Sequence, residues 1–273
     1  MAKLTRPQIE EGFRKHGIDY SKPGFYDTPE FQAVEKKHPA FLMSYAEYVD
    51  SLIFSEEYLV RTRKCATEAA EFMYSALVKD GRKGACMDAS GTLQRILERE
   101  GIWNYFVDGG LRVQFPATSG IRDIYFWPLV HPENPAKTGH AWLRVPPFIT
   151  IDITLPFQPY SAKIAPYFSG PVMAEKFVPY KAEAGDLFEN ELVDLLVQQH
   201  GVPPTLRNLP PEKREFMAVF PAFEIQYREL KLKYIPMRIS AMDAPLEGMQ
   251  NLCLSGKYPP ELYEEFRKGK KGC

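Results

Sequence analysis

The hydrophobic period of this chain changes near Gly101, and that change constrains the fold more than any other feature. Before Gly101, apolar residues recur at three- and four-residue steps; from 103 to about 154, β-branched and aromatic residues follow with period-two stretches. Segment 8–15 reads as a short amphipathic helix. Thr28 and Pro29 open a second, as N-cap and first helical residue. From Ala40 to Phe54 the apolar stripe is Phe41, Tyr45, Tyr48 and Leu52. Ser55-Glu56-Glu57 then caps a long helix to about Lys79, which Asp80-Gly81 and Gly84 break. Another helix runs from about Ala85 to Glu100 and stops at Gly101. Segments 103–115, 122–130, 139–145 and 148–154 read as strands. Residues 157–183 read as a loop around a strand near 173–179. Helices follow over 186–199, closed by Gly201, and over 211–219; a strand over 225–235 and a helix over 259–268 complete the chain. Helices first and strands later predict an α+β fold: a helical amino-terminal part packed on an antiparallel sheet. The expected divisions are a helical region over 1–55, a core over 56–160 and an α/β extension over 161–273, packed on that core.

Charge narrows the classes of function. With 34 basic and 35 acidic residues the formal net charge is −1, which gives no bulk attraction for nucleic acid or an anionic membrane. No apolar run follows the amino-terminal basic residues, and none is long enough to span a bilayer. The four cysteines, at 65, 86, 253 and 273, form no C-x-x-C pair and are too few for a disulfide scaffold. A cytoplasmic chain with free thiols is expected, with neither nucleic acid nor membrane as partner. His131 has no companion at metal-ligand spacing, and Gly109-Gly110 lack the setting of a dinucleotide loop. Arg267-Lys268-Gly269-Lys270-Lys271 reads as a solvated tail, and Cys273, as the last residue, fits no lipidation box. Neither metal nor other cofactor is expected.

Two stretches carry chemistry. Gly84-Ala85-Cys86-Met87-Asp88 sets Cys86 in the first turn of a predicted helix, where the partial positive charge favours thiolate over thiol. The unpaired amides there can also receive an oxyanion. Simple burial competes with this reading, because Cys86, Ser90, Leu93 and Leu97 share one helical stripe. Cys65, inside a helical pattern, reads as core. The second stretch, Gly139 to Ile153, reads as a hairpin around Pro146-Pro147. If it centres on Pro146, His140 faces Asp152, Trp142 faces Thr150 and Arg144 faces Phe148. Ala141, Leu143, Val145, Ile149, Ile151 and Ile153 then form an apolar face, expected to be buried under 186–199 or 225–235. His140 and Asp152 would touch on the other face, with Cys86 within about 4 Å of His140. A carboxylate beside an imidazole fixes its tautomer and steadies its charged form.

A cysteine at a helix start, then a histidine and an aspartate on successive strands, resembles the transglutaminase-like branch of the papain-like cysteine enzymes. Gly84-Ala85-Cys86-Met87-Asp88 with Leu93, Leu97 and Gly101-Ile102 looks like that family's nucleophile helix and the strand after it. Gly139-His140-Ala141-Trp142 resembles its histidine motif, and Ile151-Asp152-Ile153-Thr154 its aspartate motif, with Ile153 where the family usually has proline. The likeness covers about residues 60–155, with an insertion near 115–137. It implies a thiol acyltransferase or hydrolase: Cys86 attacks an amide, ester or thioester, His140 moves the proton and Asp152 orients it. Trp142 would wall the substrate cleft or simply pack. The partner would be a peptide or amide substrate, including one borne on a protein. Order and length are also similar to arylamine N-acetyltransferases. A non-catalytic scaffold, binding partners through its carboxy-terminal third, is the remaining alternative.

Overall fold

The computed structural model describes residues 4–134 and 139–269. Lys270, Lys271 and Cys273 of the basic tail lie outside the described residues. The fold is mixed α+β, with a helical amino-terminal part and an antiparallel curled sheet of eight strands. No helix among the described residues is long and apolar enough to cross a membrane.

The helical part is α1 (Arg6–Lys15), α2 (Pro29–Glu35), α3 (Leu42–Ser51), α4 (Glu56–Asp80) and α5 (Cys86–Arg99). Their ends obey local chemistry. The Thr28 hydroxyl accepts from the Phe31 amide at 3.4 Å, and the Ser55 hydroxyl from the Tyr58 amide at 3.2 Å. Gly101, at φ +71°, ends α5, and Ile102 N–H returns to the Leu97 carbonyl at 2.9 Å. An aromatic cluster ties the first helices together: Phe13 packs against Phe25, Phe31, Phe41 and Tyr48, with centroids 5.0–6.3 Å away.

Eight strands follow: β1 (Tyr105–Gln114), β2 (Ile124–Phe126), β3 (His140–Val145), β4 (Phe148–Asp152), β5 (Val172–Ala174), β6 (Val178–Pro179), β7 (Phe223–Tyr227) and β8 (Leu230–Ser240). Their order is β5-β4-β3-β1-β8-β7-β6, with β2 pairing β1. The later helices are α6 (Ala184–Leu187), α7 (Asn190–His200), α8 (Pro211–Val219) and α9 (Pro259–Gly269). Three segments differ from the sequence pattern. The expected strand at 225–235 is a hairpin that turns at Arg228, φ +54°, pairing Tyr227 with Leu230. The expected strand near 173–179 is two short ones. The helix expected over 186–199 is split at Phe188-Glu189, and α7 buries no residue fully.

The chain divides into two compact units, each built from segments distant in sequence. Among the described residues, one takes 4–106, 142–175 and 239–269; it holds α1 to α5, β4, β5, α9 and most of β3. The other takes 107–134, 139–141 and 176–238. In the second unit, Leu187, Phe188, Leu209, Ile235 and Met237 form a buried cluster, against which Leu192, Val193 and Leu196 of α7 pack. That packing gives the apolar side of α7 its cover within its own unit.

Candidate active site

Cys86 is the first residue of α5. The approach to it is a left-handed backbone at Gly84, φ +70°, a conformation that glycine adopts without the strain other residues suffer. The Gly84 amide donates to the Phe157 carbonyl at 3.0 Å. This bond joins the residue two before Cys86 to the short turn just after β4. Cys86 is half-buried, whereas Ser90, Leu93 and Leu97 below it are buried. The stripe thus emerges from the core at Cys86. Asp88 lies two residues on, about 200° around the helix; its Oδ1 accepts from Asn251 Nδ2 at 2.6 Å, away from the thiol's side.

Asp152 is the last residue of β4 and 0% exposed. Its Oδ1 accepts from Thr154 N–H at 3.0 Å, Thr154 Oγ1 at 3.1 Å and Leu155 N–H at 2.9 Å. The carboxylate therefore caps the turn Leu155–Phe157, whose last carbonyl holds Gly84. One side chain and one backbone bond thus link Asp152 to the start of α5.

His140 begins β3 and is 2% exposed, its ring 5.2 Å from that of Phe126. Gly139 before it has φ +61° and donates to the Trp127 carbonyl at 2.7 Å. A Cβ there would meet the Gly109 carbonyl oxygen at 2.8 Å, so the histidine's approach also requires glycine. Gly109 serves the same close packing: a Cβ on it would lie 2.1 Å from the Ile235 carbonyl oxygen. His131 is occupied locally, with Nδ1 accepting from Glu133 N–H at 3.3 Å and its own N–H donating to Glu189 Oε2 at 2.9 Å.

The hairpin register corrects the expected pairing. Leu143 pairs with Ile151 and Val145 with Phe148, with an irregularity between the two pairs. Continued by one residue, this sets Asp152 opposite Trp142, not opposite His140. The turn at Pro146-Pro147 and the bulge beside it displace the expected register by two residues. An even displacement preserves faces, so Asp152, Thr150 and Trp142 keep the face expected for them, and alternation along β3 gives His140 the side of Trp142.

On the face that His140 was expected to share, Trp142, Thr150 and Asp152 are all buried. Trp142 is only 1% exposed, so packing, not a cleft wall, is the role its burial supports. On the apolar face Leu143 and Ile151 are buried as expected, but Ile149 is only half-buried. Cys65 is buried in α4, in keeping with a core residue, and Cys253 is half-buried. The structure thus links the start of α5 and Asp152 through the turn after β4.

Comparison of the chain with protein-family models, curated proteins and solved structures finds no match.

Proposed function

We propose that this chain is a cysteine-dependent acyl-transfer enzyme with Cys86 as nucleophile, His140 as general acid–base and Asp152 as the group that orients the imidazole. The supporting observation is the linkage of Asp152 through its capped turn, Leu155–Phe157, to Gly84 at the start of α5. In this reading the Cys86 thiolate adds to the carbonyl carbon of an amide or ester. The backbone N–H of Cys86 stabilises the oxyanion, and His140 protonates the leaving amine or alcohol. The acyl group left on Sγ then passes to water or to an amine, whose proton His140 takes up as the Cys86 thiolate leaves, restoring the starting thiolate and imidazolium. The transglutaminase-like branch is the family this proposal names, by the order of motifs and the helix-then-strands arrangement.

The test is turnover of a generic acyl probe, p-nitrophenyl acetate, by the full chain. Release of p-nitrophenolate with acetylation of Cys86, lost in Cys86→Ala and reduced in His140→Ala, is expected. Equal rates for the unmodified chain and Cys86→Ala would overturn the proposal and leave the non-catalytic scaffold.

A further inference from the structure

The carboxy-terminal end of α5, roughly 14–20 Å along the helix from Cys86 at about 1.5 Å per residue, borders a cavity of about 340 Å³. That volume is at the small end of the range for ligand pockets. All of its lining residues belong to one compact unit. Its acceptors are already spent. Arg95, 3% exposed, lines the cavity; its Nη1 donates to Asp27 Oδ2 at 2.6 Å and Glu98 Oε2 at 3.0 Å, and its Nη2 to Asp27 Oδ1 at 3.0 Å. Tyr26 Oη donates to Glu98 Oε1 at 2.6 Å, so every oxygen of the two lining carboxylates accepts. The carbonyls of the lining are answered too. That of Gly24 accepts from Asp27 N–H at 3.1 Å, that of Glu98 from Gly101 N–H at 3.0 Å, and that of Gly101 from Arg61 Nη2 at 3.2 Å. Donors are left over. Arg95 Nε is buried with no hydrogen-bond partner among the described residues, and a buried donor left without an acceptor is costly. Lys22, an exposed part of the lining, forms no ion pair among the described residues. Arg99 pairs with the well-exposed Glu247, a contact that water screens and that opens at little cost.

We infer that this cavity binds a small phosphate monoester, its terminal oxygens answered by Lys22, Arg99 and Arg95 Nε and its organic part held against Pro23, Pro245 and Leu246. A cationic ligand would meet no unengaged acceptor in this lining. A carboxylate has two oxygens for three sources of donors, whereas a phosphate monoester has three, and its charge of nearly two matches the two exposed cations. The Glu98 carboxylate opposes the ligand by like-charge repulsion, so its charge sets the affinity from below. The site stands at the other end of α5 from Cys86 and does not rest on the acyl-transfer reading.

The experiment is calorimetric titration of the full chain with three probes of similar size: phenyl phosphate, benzoate and benzylamine. Phenyl phosphate is expected to bind with a dissociation constant on the order of 0.1–1 mM, benzoate more weakly, and benzylamine not at all. Lys22→Ala and Arg99→Ala change exposed side chains, so the fold survives them, and each is expected to weaken phenyl phosphate about three- to fivefold. Glu98→Gln can still accept from Tyr26 and Arg95, and is expected to tighten binding about threefold by removing the repelling charge. Arg95 is left in place, because its loss would strand Asp27 and Glu98 without their donor. Cys86→Ala is expected to bind as the unmodified chain does, and Lys163→Ala, an exposed lysine outside the lining, likewise. No heat from phenyl phosphate up to about 10 mM, or benzylamine binding as tightly, would overturn the inference. So would affinities that Lys22→Ala and Arg99→Ala leave unchanged, or binding lost in Cys86→Ala, which would move the ligand to the other end of α5. A crystal soaked with phenyl phosphate gives a second reading: phosphate density between Lys22 and Arg99 is expected, and density confined to another site overturns the assignment.

Discussion

Cys86 and Cys253 are both half-buried, yet of the two only Cys86 starts a helix, the end that carries the helix's partial positive charge. A helix start favours an adjacent anion by about 0.3–1 kcal/mol at exposed sites. Iodoacetamide at pH 7 is therefore expected to label Cys86 at least about tenfold faster than Cys253, with buried Cys65 slowest. Peptide mapping of a labelling time course checks this, and equal rates at the two half-buried thiols would count against the nucleophile. Glu98 gives a second prediction at this scale. It accepts from Tyr26 Oη at 2.6 Å and from Arg95 Nη1 at 3.0 Å. Burial nevertheless outweighs Arg95 and raises its carboxyl from 4.5 to about 7. The folded chain thus holds a proton that the unfolded chain releases between those values. This contribution to stability is full below pH 4.5 and is lost as pH rises through about 7. Urea titrations of the unmodified chain and Glu98→Gln should show the unmodified chain's relative stability declining over that window, by an amount on the order of 2 kcal/mol. A difference that is flat with pH would show that Glu98 stays charged.

At the scale of elements, helix ends were legible because their chemistry is local. Thr28, Ser55 and Gly101 fall where the sequence puts them, since each answers orphan groups within four residues. The β3–β4 register was not legible. It depends on how two consecutive prolines close the turn and on a bulge between Leu143 and Val145, and apolar alternation survives a two-residue displacement unchanged. Nor was the burial of Trp142, Thr150 and Asp152 legible: alternation separates the two sides of a strand but does not reveal that both are covered. The two glycines before the proposed catalytic residues separate conformational cost from steric cost. At Gly84 a Cβ meets nothing within 4 Å, so Gly84→Ala should cost about 1 kcal/mol, for the left-handed backbone alone. At Gly139 the same backbone is joined by a 2.8 Å approach to the Gly109 carbonyl oxygen, so Gly139→Ala should cost about 2–4 kcal/mol. Paired thermal melts give the ranking, and a Gly84→Ala loss as large as that of Gly139→Ala would contradict it.

For the whole molecule, the segments that complete each compact unit lie far apart in sequence. Local periodicity cannot report this, because contacts between residues 27, 95 and 242 leave no local pattern. Arg95 shows the principle inside one unit. Its Nη2 donates to Asp27 Oδ1 at 3.0 Å and to the Met242 carbonyl at 2.6 Å, joining three separate stretches through one buried guanidinium. The carboxy-terminal segment adds Leu246, Met249, Leu252, Leu254, Leu262 and Phe266 to the buried set, and Phe266 packs on Phe72 of α4 at 5.6 Å. A chain ending at residue 160 would keep the whole stretch that carries the family resemblance and lose all of these partners. Each large apolar side chain removed from a core costs about 2–5 kcal/mol, against a total stability of about 5–15 kcal/mol for an ordinary domain. Arg95 would also lose one of the acceptors for its buried charge. The fragment 1–160 is therefore expected to show no cooperative melt and weak near-ultraviolet dichroism, even though Cys86, His140 and Asp152 are all present. A sharp transition with native-like helix content would show instead that the linear core stands alone and that the carboxy-terminal third is an accessory.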